Sequence, residues 1–341
     1  MRVPPWWVRR PLSLLAVGAL VVGVTFLPVL VLLAAALSPV VPGRWRPLRL
    51  LAFFLVYLAL EVVGLAAALA LWVASGFGWR LRSPAFENAH YRLLRVVLSV
   101  VDKAARVIFR VDVETDDEGW SPLDDGVPGS TNAMVVLSRH AGPGDSFLLV
   151  RTLLDRDHLR RPRIVLRDTL QLDPLVDVLL HRLPVAWVPA RPSPGEDVAA
   201  AIGRLAAGMG DEDALLIFPE GGNFTAARRT RAIAKLRSLG RRTQAERAEA
   251  MPYVLPPRPG GVQAALAGAP FADVVFVAHT GLEHLDSPAA VWRELPMDQV
   301  LRLRWDVVPA GDVPRESEAQ VDWLYEHWAV IDAWVGARTD R

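Results

Sequence analysis

The sequence predicts an α/β domain, a mostly parallel sheet flanked by helices, preceded by an N-terminal membrane segment of two helices. Three observations point there. Two long apolar runs sit within the first 80 residues: Leu12 to Leu37 carries no charge, and Leu50 to Val73 carries one, Glu61. After Arg80 the chain has the charge density of a soluble protein. There, short β-like runs alternate with longer helical patterns, the signature of a buried, mostly parallel sheet. Residues 1–80 form the expected anchor and 81–341 the expected globular domain, a division that suits 341 residues.

Each apolar run reaches the roughly 20 residues that cross a bilayer core of about 30 Å. Trp6 and Trp7 precede the first run, Trp45 lies between the two, and Trp72 and Trp79 mark the end of the second, where interfacial anchors belong. A carboxylate at the centre of a membrane helix costs roughly 2.5–3.5 kcal/mol. Glu61 is therefore expected to be protonated, to face the partner helix, or to lie in a hairpin that is only partly inserted. Arg9-Arg10 before a greasy run and Ala34-Ala35-Ala36 has the outline of a signal peptide. Its apolar part exceeds the usual 7–15 residues or so, which favours an uncleaved anchor. Arginines on all three flanks leave the orientation open.

Residues 80–105 read as an amphipathic helix, with Tyr91, Leu94, Val97 and Val101 on one face and Arg92, Arg95 and Lys103 outward. Residues 116–132, rich in Gly, Pro, Asp and Ser, read as a surface loop. Strands are expected at 107–113, 133–137, 163–166, 185–188, 214–218, 273–278 and 301–308. Helices are expected near 146–155, 171–181, 196–208, 226–250 and 261–267. Leu324, Trp328, Ile331 and Val335 form one stripe of a last helix over 317–336.

Composition removes several function classes. Basic and acidic residues number 38 and 37, a net charge of +1, which gives no argument for nucleic acid. With no Cys, disulfides, thiolate metal sites and cysteine nucleophiles are excluded. His279-Thr-Gly-Leu-Glu-His284 offers metal-binding residue types, but not at the His-Glu-x-x-His spacing. Its residues read as sheet-end and loop positions. No Gly-x-Ser-x-Gly elbow is present.

Two segments carry chemistry. Ser138-Arg139-His140-Ala141-Gly142-Pro143-Gly144-Asp145 follows a strand and precedes a helix. Its Gly-Pro-Gly turn lets His140 and Asp145 meet. An Asp that holds one imidazole nitrogen leaves the other free to take a proton, as a general base must. The plainer reading is that Asp145 caps the next helix and His140 is a loop residue. A second copy, His327 to Asp332, falls within a helix, where five positions turn the side chains apart. The other segment is Leu215-Leu-Ile-Phe-Pro-Glu220-Gly221-Gly222-Asn223. It puts a carboxylate at the C-terminal end of a strand, where ligands of α/β sheets bind. Taken alone, it is an ordinary strand-to-helix turn.

Together these segments resemble the glycerophospholipid acyltransferase family, whose type member acylates lysophosphatidic acid, that is 1-acylglycerol-3-phosphate. A His-x4-Asp segment is followed some 75 residues later by Phe-Pro-Glu-Gly. Between them, Arg167 to Pro174 and Val185 to Arg191 look like the family's second block, and Val254 to Gly261 resembles its fourth. The resemblance covers about residues 130–310, and the apolar N-terminus is also typical of the family. It implies His140 as general base and Asp145 as its partner. It implies Arg191 as a phosphate contact and Glu220 and Gly221 as substrate-binding positions; Arg258 is expected as a second phosphate contact and Gly222 as a further substrate-binding position. No cofactor or metal is implied; acyl-CoA or acyl carrier protein is the donor, a membrane lipid the acceptor, the bilayer a partner and nucleic acid none.

The expected location is the cell membrane, with the catalytic domain on the cytoplasmic side. The sequence departs from the family's pattern at Arg139 (usually Asn), at Gly222 and Asn223 (usually Thr, then often Arg) and around Asp177 (usually Gly). These changes extend the expected acceptors to lysophospholipids with larger headgroups and to glycolipids. Arg228, Arg229 and Arg231 form a basic cluster that reads as a solvated helix face before a binding site. The alternatives are a thioesterase and a non-catalytic lipid-binding protein derived from an acyltransferase.

Overall fold

The computed structural model describes residues 3–115, 133–142, 144–154, 160–189, 197–283, 285 and 288–339. The expected loop at 116–132 lies outside them, as does Arg191. The elements run α1 (Trp6–Arg9), α2 (Leu12–Thr25), α3 (Leu27–Leu37), α4 (Arg46–Ala74), α5 (Pro84–Phe109), β1 (Val111–Thr115), β2 (Met134–Ser138), α6 (Asp145–Leu154) and β3 (Arg161–Arg167). A short 3-10 turn (Asp168–Leu172) leads to α7 (Pro174–Leu180), β4 (Val185–Val188), α8 (Val198–Ala207) and β5 (Asp213–Ile217). Then come α9 (Ala226–Ser238), α10 (Arg242–Glu249), α11 (Pro259–Gly268), β6 (Asp273–Thr280), α12 (Pro288–Glu294), β7 (Gln299–Val308) and α13 (Ser317–Thr339).

The strands form one mixed, mostly parallel seven-stranded sheet in the order β1-β7-β6-β2-β5-β3-β4, flanked by helices. β2 runs parallel to β5 and to β6, β5 runs parallel to β3, and β7 is antiparallel to β6. Every residue of β2, β5 and β6 is buried, as strands covered on both faces must be.

The chain divides into two compact units. One comprises Met1–Asp112, Leu166–Arg191 and Val291–Gln299. Its two helices long and apolar enough to cross a membrane are Trp6–Thr25 and Arg46–Ala74. The first apolar run is not one helix. It breaks at Phe26, because Pro28 lacks an N–H and its ring blocks the carbonyl four residues back. Glu61 is buried, and its Oε2 accepts from Leu175 N at 3.1 Å, at the N-terminal end of α7. Nearby Tyr57 donates to Asp173, and Arg9 pairs with Asp177 at 2.9 Å. The expected strand at 107–113 is half helix. Phe109 stays in phase with the buried Tyr91, Leu94 and Leu98 of α5 and packs on Phe53, with ring centroids 4.5 Å apart. The strand starts only after Arg110 turns left-handed at φ 59°.

The other unit comprises Val113–Val165, Pro192–Ala290 and Val300–Arg341. Its core joins Val135, Leu137, Leu215, Ile217, Val274 and Phe276 of the sheet to Ile202, Ala265, Leu324, Trp328, Ile331 and Val335 of the covering helices. The expected stripe of α13 is therefore the buried one. The helix expected at 226–250 is two, α9 and α10, separated at Gly240, whose φ of +74° ends α9.

Candidate active site

Register builds the site. β2 and β5 lie side by side with Leu137 opposite Ile217, so three residues further on His140 and Glu220 emerge at the same level. The two loops are tied through the His140 backbone. Its carbonyl accepts from Phe224 N at 2.7 Å, and its N–H points at Glu220 Oε2 at 3.4 Å.

Between His140 and Asp145 the chain makes a tight turn with Gly144 at φ +102°. Gly142 leaves no room for a Cβ, which would stand 2.5 Å from the Leu282 carbonyl oxygen. Asp145 opens α6, but it does not act as a simple cap. Its Oδ2 accepts from His140 Nδ1 at 2.7 Å, Ala141 N at 3.0 Å and Gly142 N at 3.3 Å, and its Oδ1 accepts from Ser146 N at 2.6 Å. Burial opposes ionisation of Asp145. The His140 hydrogen bond, the electrostatic attraction of the His279 and His140 rings and the Gly142 N–H outweigh it and hold the carboxyl below its usual range.

The carboxylate fixes the proton on Nδ1 and turns Nε2 outward. Among the described residues no group pairs with Nε2, and the His140 side chain is 21% exposed. Its ring lies 4.5 Å from that of Phe218. A buried carboxylate behind and an open nitrogen in front is the geometry of a general base.

Glu220 is turned inward. It is 2% exposed, and its Oε1 has no hydrogen-bond partner among the described residues. Burial pushes its pKa up to about 8, against the pull of Arg139. Gly221 has φ +68°, and a Cβ there would stand 2.8 Å from Arg258 Nη1, so the exposed Arg258 guanidinium lies on the glycine. Pro219 O accepts from Arg258 N at 2.9 Å. The N–H of Gly142 is held by Asp145 and that of Gly221 by Phe218 O, which leaves Gly144 and buried Gly222 as the glycine donors of the two turns.

Arg191 lies outside the described residues. Arg229 caps the end of α10 through Ala248 O and Met251 O, while Arg228 and Arg231 bond backbone carbonyls within or next to α9, so this cluster serves helix ends. The second His/Asp copy stays apart: His327 stacks on Phe276 and Asp332 accepts from Tyr253 N. Among the described residues no group of three or more His, Asp or Glu could hold a metal ion.

Residues 124–278 match the family model for acyltransferases. No curated protein matches the chain. The acyltransferase match contains His140, Asp145 and Glu220 and supports acyl transfer to oxygen as the general chemistry of this region.

Arg139 stood out in the sequence only as a departure from the family pattern, and His279 and Glu283 as sheet-end and loop residues; that they meet was not expected. Arg139 is fully buried and donates to Glu283 Oε1 at 2.6 Å, His279 O at 2.7 Å and Tyr253 O at 3.2 Å. The one signal was Arg139 itself, a charge directly after the apolar strand β2, which when buried calls for a carboxylate elsewhere in the chain.

Proposed function

We propose that the protein is a membrane-bound acyltransferase that moves a fatty acyl group from acyl-CoA or acyl carrier protein to the hydroxyl of a lysophospholipid such as 1-acylglycerol-3-phosphate. The observation that carries this reading is the 2.7 Å His140–Asp145 pair with Nε2 open at the end of β2, inside the acyltransferase match. His140 Nε2 takes the acceptor hydroxyl proton as the oxygen attacks the thioester carbonyl. The tetrahedral intermediate collapses, the carbon–sulfur bond breaks, and the thiolate leaves with the proton from His140. Asp145 stabilises the imidazolium formed between these steps. General base catalysis supplies typically about 10²–10⁴-fold, and donors such as Gly144 N and Gly222 N would meet the oxyanion. Arg258, exposed beside Gly221, is proposed to hold an acceptor phosphate together with Arg191. Apolar helices α2 and α4 would keep the enzyme at the cell membrane, with this chemistry on the cytoplasmic side where the thioester is found.

The test is to incubate detergent-purified protein and its His140→Ala variant with an acyl-CoA and a panel of lysophospholipids. Thiol release and lipid products are followed by mass spectrometry. Acceptor-dependent thiol release with a new diacyl lipid, lost in the variant, is expected. Thiol release without acylated lipid would make the protein a thioesterase.

A further inference from the structure

His279 is the penultimate residue of β6 and lies just past the acyltransferase match, which ends at residue 278. It is 2% exposed. Its Nε2 is 3.0 Å from the Arg139 carbonyl oxygen and 3.8 Å from Asp145 Oδ2. A carbonyl oxygen only accepts, so this nitrogen must carry the proton, and its N–H edge faces the carboxylate that holds His140. The next residues continue the support. Leu282 O closes on Gly142, and Glu283 bridges Arg139 at 2.6 Å and Gly281 N at 2.7 Å.

We propose that His279 is a positioning residue for the His140–Asp145 pair: its Nε2–H anchors the Arg139 carbonyl and keeps the Asp145 carboxylate turned toward His140 Nδ1. This rests on His140 being the base. The groups that face the ring are Asp145, Arg139 and Glu283. Burial, aided by the Arg139 charge, lowers the pKa of His279, so the ring stays a neutral donor beside Asp145 rather than a second cation. A bulky apolar residue at 279 would fill the space but leave the Arg139 carbonyl with Ser138 Oγ, at 3.0 Å, as its donor and remove the N–H edge that lies 3.8 Å from Asp145 Oδ2.

The experiment titrates His140 directly. Carbethoxylation by diethyl pyrocarbonate, localised by peptide mass spectrometry, is measured against pH in the full-length protein and in His279→Phe, His279→Gln and Asp145→Asn. In His279→Phe the His140 midpoint is expected to fall toward that of Asp145→Asn. Its kcat is expected to drop about 10- to 100-fold with little change in KM. His279→Gln, whose amide reaches the Nε2 position, is expected to restore both. Wild-type titration and kcat in His279→Phe, or a Gln variant as impaired as Phe, would overturn the proposal. If the Phe variant does not fold, His279→Asn takes its place: its shorter amide cannot reach Arg139 O, so behaviour equal to Gln also overturns it. If the wild-type protein transfers no acyl group, the proposed function fails, and the His140 titration alone decides the role of His279.

Discussion

His140 is held at three atoms, its N–H, its carbonyl and Nδ1, and the partner of Nδ1 is the Asp145 carboxylate. Asp145→Asn keeps the shape but loses the charge that stabilises the imidazolium. The expected result is a kcat about 10²–10⁴-fold lower with KM little changed. Steady-state kinetics on the best acceptor would show it. Glu220 gives a pH prediction. Its folded pKa of about 8 lies above the ordinary 4.5, so the folded state binds its proton more tightly than the unfolded state. Its contribution is fully present below about pH 4.5 and is lost as pH rises through about 8. Unfolding measured across this range should show stability falling with pH, and Glu220→Gln should flatten that fall. An unchanged slope in the variant would mean that Glu220 ionises freely in the fold. His140, Asp145 and Glu220 could be singled out in the sequence because each stands in a short local pattern at a strand end. The contacts of Arg139 with His279 and Glu283 could not, because they join positions some 140 residues apart in the chain.

Among the elements, the β2–α6 turn is the least tolerant of change. Gly142→Ala pushes a methyl into the Leu282 carbonyl, and Gly144→Ala meets no atom but needs φ +102°. Both are expected to destabilise by about 1–3 kcal/mol. Gly142→Ala should also cut activity, since it pushes the turn that donates to Asp145 away from Leu282. Equal activity in the two variants would argue that this loop does not matter to the site. In α4, Glu61→Ala removes the acceptor of Leu175 N and should cost about 1–3 kcal/mol. Thermal unfolding in detergent would show this, with Glu61→Gln milder. The strands and α13 were readable because their apolar runs were long. The ends of α5 and α9 were not. A run such as Val107-Ile-Phe suits either a strand or a buried helix stripe, and packing on Phe53 decides for helix.

For the whole molecule, membrane attachment predicts that the protein stays in the pellet after alkaline carbonate extraction of cell membranes. Recovery in the supernatant would reject the two candidate spans. That two long apolar helices precede an α/β fold was legible from where the charges stop and start. The break of the first run at Phe26 is set by Pro28, a single residue that leaves the run's apolar pattern unchanged. The acyltransferase match closes at residue 278, inside β6, two residues before that strand ends and ahead of β7 and α13. A fragment cut at the borders of the match would leave β6 with an unpaired edge and strip Trp328 and Ile331 from the sheet. Such an edge recruits other chains. The excised piece should therefore aggregate rather than fold, and any attempt to graft or express this catalytic body alone has to carry the chain through to α13.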